Sequence, residues 1–243
     1  MSRIVSLVPS ITELVCELGL AGELVGRTGF CIHPKDAVKP IPKVGGTKSV
    51  NLEKIRALAP THVIVNVDEN RKETADALAE FVPNVIVTHP LTPLDNLVLY
   101  RQIGAAFGRM REAEMLCSRF EKALLEVEKQ EFRKRKVLYL IWKDPWMTVS
   151  HDTYVSRTLQ LFGMHTIPEK TEKRYPELED LELPAAEMIL LSTEPYRFGQ
   201  QHRVELQIAL QKPVHLIDGE MTSWYGSRAI QGLRYLAEFT ATL

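Results

Sequence analysis

Short, β-branched apolar runs alternate with amphipathic segments of helical period along this chain, and the alternation is broken only once. Residues 4–8, 62–65, 85–88, 137–142, 188–191 and 214–217 are too short for helices and rich in Val, Ile and Leu, the signature of strands buried on both faces. Between them, residues 51–60, 71–81, 94–107, 153–162, 204–210 and 227–239 carry apolar side chains at helical spacing. Strands that alternate with helices of this length pair in parallel, because each return to the same end of the sheet needs a crossover helix. The break runs from Arg109 to Arg135, with no Gly or Pro, and with Leu116, Phe120, Ala123, Leu124 and Val127 in helical register. A single helix of that length is a rod of roughly 37 Å. The expected fold is therefore α/β: two lobes with mainly parallel sheets flanked by helices, joined by one long α-helix. The boundaries are 1–108 for the first lobe, 109–135 for the linker and 136–243 for the second.

The first twenty residues test for a secretion leader. The apolar run stops at Pro9, and Glu13 and Glu17 follow where a leader stays apolar. Ser10 and Glu13 have capping-box spacing, Ile11, Leu14, Val15 and Leu18 share one helix face, and Gly19 suits a left-handed C-cap. The stretch reads as strand and helix, so the expected location is cytoplasmic, or periplasmic or cell-surface if a leader was removed. Thirty basic and thirty-one acidic residues show no bias toward nucleic acid or membrane surfaces, and no apolar stretch is long enough to span a bilayer. Cys16, Cys31 and Cys117 form no metal or disulfide pattern. Cys16 and Cys117 read as buried, and Cys31, in a loop, as the more exposed. A monomer is expected.

The halves echo each other. Residues 52–65, LEKIRALAPTHVIV, align without gaps to residues 178–191, LEDLELPAAEMILL. With the strand followed by PSITELVCELG, the segment VGGTKSVNLEKIRALAPTHVIV, one long helix and a second α/β half, the chain resembles the helical-backbone substrate-binding proteins of ABC importers. Its resemblance is closest to the vitamin B12-binding branch, whose relatives take up haem, ferric siderophores or metals. That resemblance implies a cleft between two rigid lobes, with cobalamin as the leading ligand and haem or a ferric chelate next. It also implies an ABC permease as partner, with Glu53, and Glu179 by the internal echo, as docking carboxylates.

Candidate binding residues cluster in loops. All three tryptophans, Trp142, Trp146 and Trp224, lie in the second half, with Tyr175 and Tyr225 also in loops. Their rings either stack on a flat macrocycle or fill the core. The resemblance adds Phe30, Tyr175 and Arg228 as ligand-contact positions. Near Thr47 and Asn66 the chain lacks the aromatics typical of B12 binders, which leaves a polar wall of Thr47, Lys48, Asn66 and Asp68. His33 and His151 are candidate axial ligands for cobalt or haem iron, and no histidine spacing suggests a bare-metal site. No catalytic motif is present, so no catalytic residue is assigned. An enzyme acting on a corrinoid or metal chelate is the alternative.

Overall fold

The computed structural model describes residues 2–169, 171–178 and 185–243. The chain divides into two compact units. The N-terminal unit takes the chain up to Pro90, Asp95–Ser118 and Tyr225–Arg228; the C-terminal unit takes Leu91–Leu94, Arg119–Trp224 and Ala229–Leu243.

In the N-terminal unit, β1 (Ile4–Ser6), α1 (Pro9–Glu17), β2 (Leu24–Arg27), α2 (Lys35–Val38), α3 (Leu52–Ala57), β3 (His62–Asn66), α4 (Lys72–Ala79), β4 (Asn84–Thr88) and α5 (Asp95–Ala106) follow in order. Their sheet runs β2-β1-β3-β4, parallel throughout, with Val63 opposite both Val5 and Val85. Val5, Leu7, Val63 and Val65 project onto Ile55, Leu78 and Val82 from the helical layer, all at most 4% exposed. Burial of this apolar surface supplies most of the drive to fold.

In the C-terminal unit, β5 (Arg135–Trp142), β6 (Met147–Thr148), α7 (Tyr154–Gln160), β7 (Met164–Thr166), β8 (Met188–Ser192), α8 (Gln200–Leu210), β9 (Val214–Ile217), α9 (Gly219–Ser223) and α10 (Ala229–Ala241) follow. The order is β6-β5-β8-β9, with β7 also paired to β5. All pairs are parallel except β5 with β6. The expected α/β class with mainly parallel sheets is borne out. The short elements β6, β7 and α9 carry too few residues for a periodic signal, and the sequence does not announce them.

The long helix is shorter than expected. α6 (Met110–Glu128) crosses from one unit to the other at Ser118 and Arg119, and β5 already begins at Arg135. Val127 is the last residue of the apolar stripe. Beyond it Phe132 turns onto Phe162, ring centroids 5.2 Å apart, and this packing outweighs continuation of a mostly charged helix. The start of α1 also differs from expectation. The helix begins at Pro9, whose missing N–H costs nothing in a first turn, and Ser10 is buried rather than capping. Gly19 takes the left-handed position expected at the helix end, at φ +76° just after the C-cap Leu18, with the Gly19 and Leu20 amides closing onto Cys16 and Val15. Cys31 is fully buried, not exposed: the Thr12 hydroxyl donates to its sulfur at 3.0 Å. Cys16 is half-buried, and burial pushes its thiol up to about 11.

Glu13, three residues after Ser10, pairs instead with a distant partner. Arg228 donates through Nε and Nη2 to its two carboxylate oxygens at 2.8 and 2.7 Å, with side chains only 10% and 19% exposed. Beside it the Gly226 amide donates to Asn96 and the Tyr100 hydroxyl donates to the Gly226 carbonyl. The segment 225–228 is thereby fastened into the N-terminal unit. Glu13→Ala removes the bidentate acceptor of a largely buried guanidinium and is expected to cost roughly 2–3 kcal/mol. Urea unfolding is the check, with a lowered midpoint expected; an unchanged midpoint contradicts it.

Candidate functional site

Parallel strands deliver their following loops to one edge of a sheet, and ligands of open α/β sheets bind outside that edge. In the N-terminal unit the edge is built by the residues after β2, β3 and β4. Asn70 ties it together: its side-chain oxygen accepts the Asn66 amide at 2.8 Å, and its Nδ2 donates to the Thr47 carbonyl at 3.0 Å. Lys48 Nζ donates to the Asp68 carbonyl at 2.6 Å, and His89 Nε2 lies 3.6 Å from Asp68 Oδ1. Three apolar side chains stand exposed in the segments that follow β2 and β3: Phe30 at 63%, Ile32 at 50% and Val67 at 52%.

The predicted residues of this unit take different places. Phe30 is exposed, and His33 is half-buried just before α2. Thr47 is half-buried, with its carbonyl held by Asn70. Asn66 is 2% exposed, donating to Thr88 and accepting from the Asp68 amide, so both ends of its side chain shape the edge itself. Tyr225 is buried, and its hydroxyl donates to Glu69 at 2.7 Å. Burial and the Glu69 charge raise this hydroxyl well above the ordinary tyrosine range, so it stays a donor. Arg228 is held by Glu13. Glu53 sits in the first turn of α3, its side chain 85% exposed and 3.9 Å from Arg56. Glu179 lies outside the described residues.

In the C-terminal unit the corresponding edge is aromatic. Trp142 ends β5, remains 39% exposed, and meets Tyr196 edge to face at 5.6 Å. Tyr196 contacts Phe198, and Trp146 lies parallel to Phe198 at 6.1 Å. His202 abuts both Tyr196 and Phe198. Trp146 and Phe198 root the group in the core beneath. Trp142 and Trp146 are therefore brought together, by rings that the sequence reading missed. Tyr196 and Phe198 stand in STEPYRF, directly after β8, and the rule that strand ends bind ligands was the signal for them. Tyr175 is half-buried under the Arg174 guanidinium, 5.9 Å from its ring centroid. His151 is exposed beside Asp152 and lines a groove of about 190 Å³ with His165, Ser156 and Thr166.

Trp224 is buried and its indole N–H donates to Glu194 Oε1 at 2.6 Å. The Ser223 hydroxyl lies 3.0 Å from the same oxygen and shares its one proton between it and the Gly219 carbonyl at 2.7 Å. Burial, with Glu220 and Asp218 nearby, raises the Glu194 proton affinity despite these two donors. Glu194 is another residue the sequence reading missed; a lone glutamate after a strand carries no pattern. Among the described residues no group of three or more His, Cys, Asp or Glu is placed to hold a metal ion. No described helix is long and apolar enough to cross a membrane.

A family model described as periplasmic binding protein matches residues 4–203. The substrate-binding lipoprotein YvrC of an uncharacterised ABC transporter in Bacillus subtilis is 24% identical over 253 aligned positions, covering 97% of this chain and 79% of that protein. A vitamin B12-binding protein of Pectobacterium carotovorum is 23% identical over 180 positions and 72% of this chain; the chain spans 65% of that relative, just under two thirds. The periplasmic vitamin B12 binding protein BtuF of Vibrio cholerae superposes with a TM-score of 0.85 at 18% identity, over 99% of this chain and 97% of that one. The periplasmic haem-binding protein RhuT of Roseiflexus sp. RS-1 gives 0.83 at 21% identity, over 99% and 97%. At these identities the superpositions establish the fold.

These matches correct the expected cytoplasmic location. The relatives are a lipoprotein and periplasmic proteins, which act outside the cytoplasm. The cytoplasmic expectation rested on residues 4–17 folding as β1 and α1, and a folded strand and helix carry no information about compartment.

Glu194 generates a pH prediction. Its folded pKa is raised above the value of about 4.5 for the free side chain, so the charged form is the disfavoured one. Its stabilising contribution is full below that value and is lost as pH rises through the folded pKa. Glu194→Gln keeps an acceptor for Trp224 and Ser223 but cannot ionise. The variant is expected to match wild type near pH 4 and to gain stability relative to it toward pH 8, read from melting temperatures across that range. A constant difference across the range contradicts the assignment.

Proposed function

This chain belongs to the periplasmic binding protein family, and from that premise we propose that it holds a large flat ligand for an ABC importer, cobalamin or another corrinoid first and haem or a ferric chelate next. The observation that carries the reading is Trp142, a ring left 39% exposed at the carboxyl edge of its sheet and backed by Tyr196. A half-exposed tryptophan fixed by an aromatic neighbour offers a rigid apolar face at little entropic cost, which suits a macrocycle. Phe30, Ile32 and Val67 supply apolar surface at the edge of the other sheet, beside the polar groups of Lys48, Asp68 and His89. Vitamin B12-binding and haem-binding proteins among the relatives and structural neighbours support this ligand class.

The protein is proposed as a binder rather than an enzyme, acting as a monomer. Glu53, exposed on α3, is proposed as a carboxylate that docks on basic groups of a permease, where its charge also steers encounter. The C-terminal counterpart, Glu179, is proposed from the internal sequence echo.

Absorbance titration with cyanocobalamin, haem and a ferric siderophore tests the reading. Saturable spectral change with at least one of them, and recovery of the ligand unaltered, is expected. Trp142→Ala is expected to weaken binding by roughly tenfold, the worth of one aromatic stacking contact, with an unchanged circular dichroism spectrum. Failure of all three ligands to bind overturns the proposal, and recovery of a chemically altered ligand identifies an enzyme instead.

A further inference from the structure

Glu194 lies two residues beyond the end of β8 and two before Tyr196, on the same edge loop as the aromatic cluster. Its surroundings are built. An added Cβ on Gly219 would stand 2.5 Å from Glu194 Cγ and 2.6 Å from Ser192 Oγ, so only glycine lets the carboxylate stem settle there. Both side-chain donors fall on Oε1: Trp224 Nε1–H at 2.6 Å, and Ser223 Oγ–H at 3.0 Å, which it shares with the Gly219 carbonyl. Oε2 accepts from none of the described residues, and the residue is only partly buried. No Lys or Arg among the described residues forms an ion pair with it, and the two nearby charges, Asp218 and Glu220, are also negative. A held carboxylate with one open oxygen and no counter-charge attracts hydrogen-bond donors and repels other carboxylates.

Flat metal-bearing ligands differ in this respect at their rims. A corrinoid carries neutral carboxamides, whose N–H groups donate. Haem carries two propionates, which are anionic near neutral pH. Resting on the reading of this edge as a macrocycle site, we infer that Glu194 is a specificity-determining residue: it accepts from a carboxamide of a corrinoid and disfavours a ligand with a carboxylate rim. Trp224 and Ser223 act through it, fixing the carboxylate so that the open oxygen keeps one direction.

Isothermal titration of the full chain at pH 7.5 with cyanocobalamin, haem and haem dimethyl ester tests this, in wild type and Glu194→Gln. Wild type is expected to bind cyanocobalamin more tightly than haem, and to bind the uncharged ester more tightly than haem itself. In E194Q, haem affinity is expected to rise roughly tenfold as the like-charge penalty goes, while cyanocobalamin affinity falls several-fold as a charge-assisted bond becomes a neutral one. The ester, lacking the anions, is expected to bind both proteins alike. Wild type binding haem as well as its ester overturns the inference, and this comparison stands even if the variant does not fold. Equal haem affinity in wild type and E194Q overturns it too, while leaving the proposed function intact. If none of the three ligands binds wild type, the proposed function falls and the inference with it.

Discussion

Parallel strand pairing is the constraint from which the rest of this structure follows. β1, β2, β3 and β4 all run the same way, as do β5, β7, β8 and β9. Between parallel neighbours the chain must return across a face of the sheet, and the segments that follow these strands leave from the same edge; only β5 turns first into the antiparallel β6. Phe30, Val67 and His89 come from three different strand ends of one sheet, and Trp142, Glu194 and Tyr196 from two strand ends of the other. Within each sheet, residues from different strand ends share an edge only because that sheet's hydrogen-bond ladder aligns its strands.

The two edges solve different problems. In the N-terminal unit, Asn66 and Asn70 are buried and direct their side-chain amides at backbone carbonyls and N–H groups of the edge. Their work is to hold a shape that leaves Phe30, Ile32 and Val67 in the open. In the C-terminal unit, rings carry the shape instead: Trp146 and Phe198 anchor in the core and support Tyr196 and Trp142 above. Carboxylates recur at the fixed points. Glu13 holds Arg228, Glu69 holds Tyr225 and Glu194 holds Trp224. Each is a bond from a side chain of residues 224–228 to a carboxylate, so that short segment is fastened at three of its five residues.

Much of the architecture was legible in the residues. The runs at 62–65 and 214–217 became β3 and β9 because Val, Ile and Leu suit a sheet buried on both faces. Asn51 caps α3 as its sequence position suggests, accepting the Lys54 amide at 2.9 Å. Periodicity failed where a long-range contact overrode local preference. Phe132 left the helical register for Phe162, and Ser10 gave up a capping role inside a buried first turn led by Pro9. The site was less legible than the fold. Aromatics at a strand end, such as Trp142 and Trp146, can be nominated from position alone, whereas Asn66 gives no sign in sequence that both ends of its side chain are already engaged.

By itself, then, the sequence determined the α/β class, the strand and helix order and the loops that carry the candidate groups, because periodicity and turn residues act over a few neighbours. Only the tertiary structure decided which of those groups remain available. Arg228 and Glu13 are 215 residues apart, Tyr225 and Glu69 are 156, and Glu194 meets Trp224 across 30. A charge or hydroxyl is indistinguishable in sequence from one already paired, since the partner that consumes it is brought near only when its own unit folds.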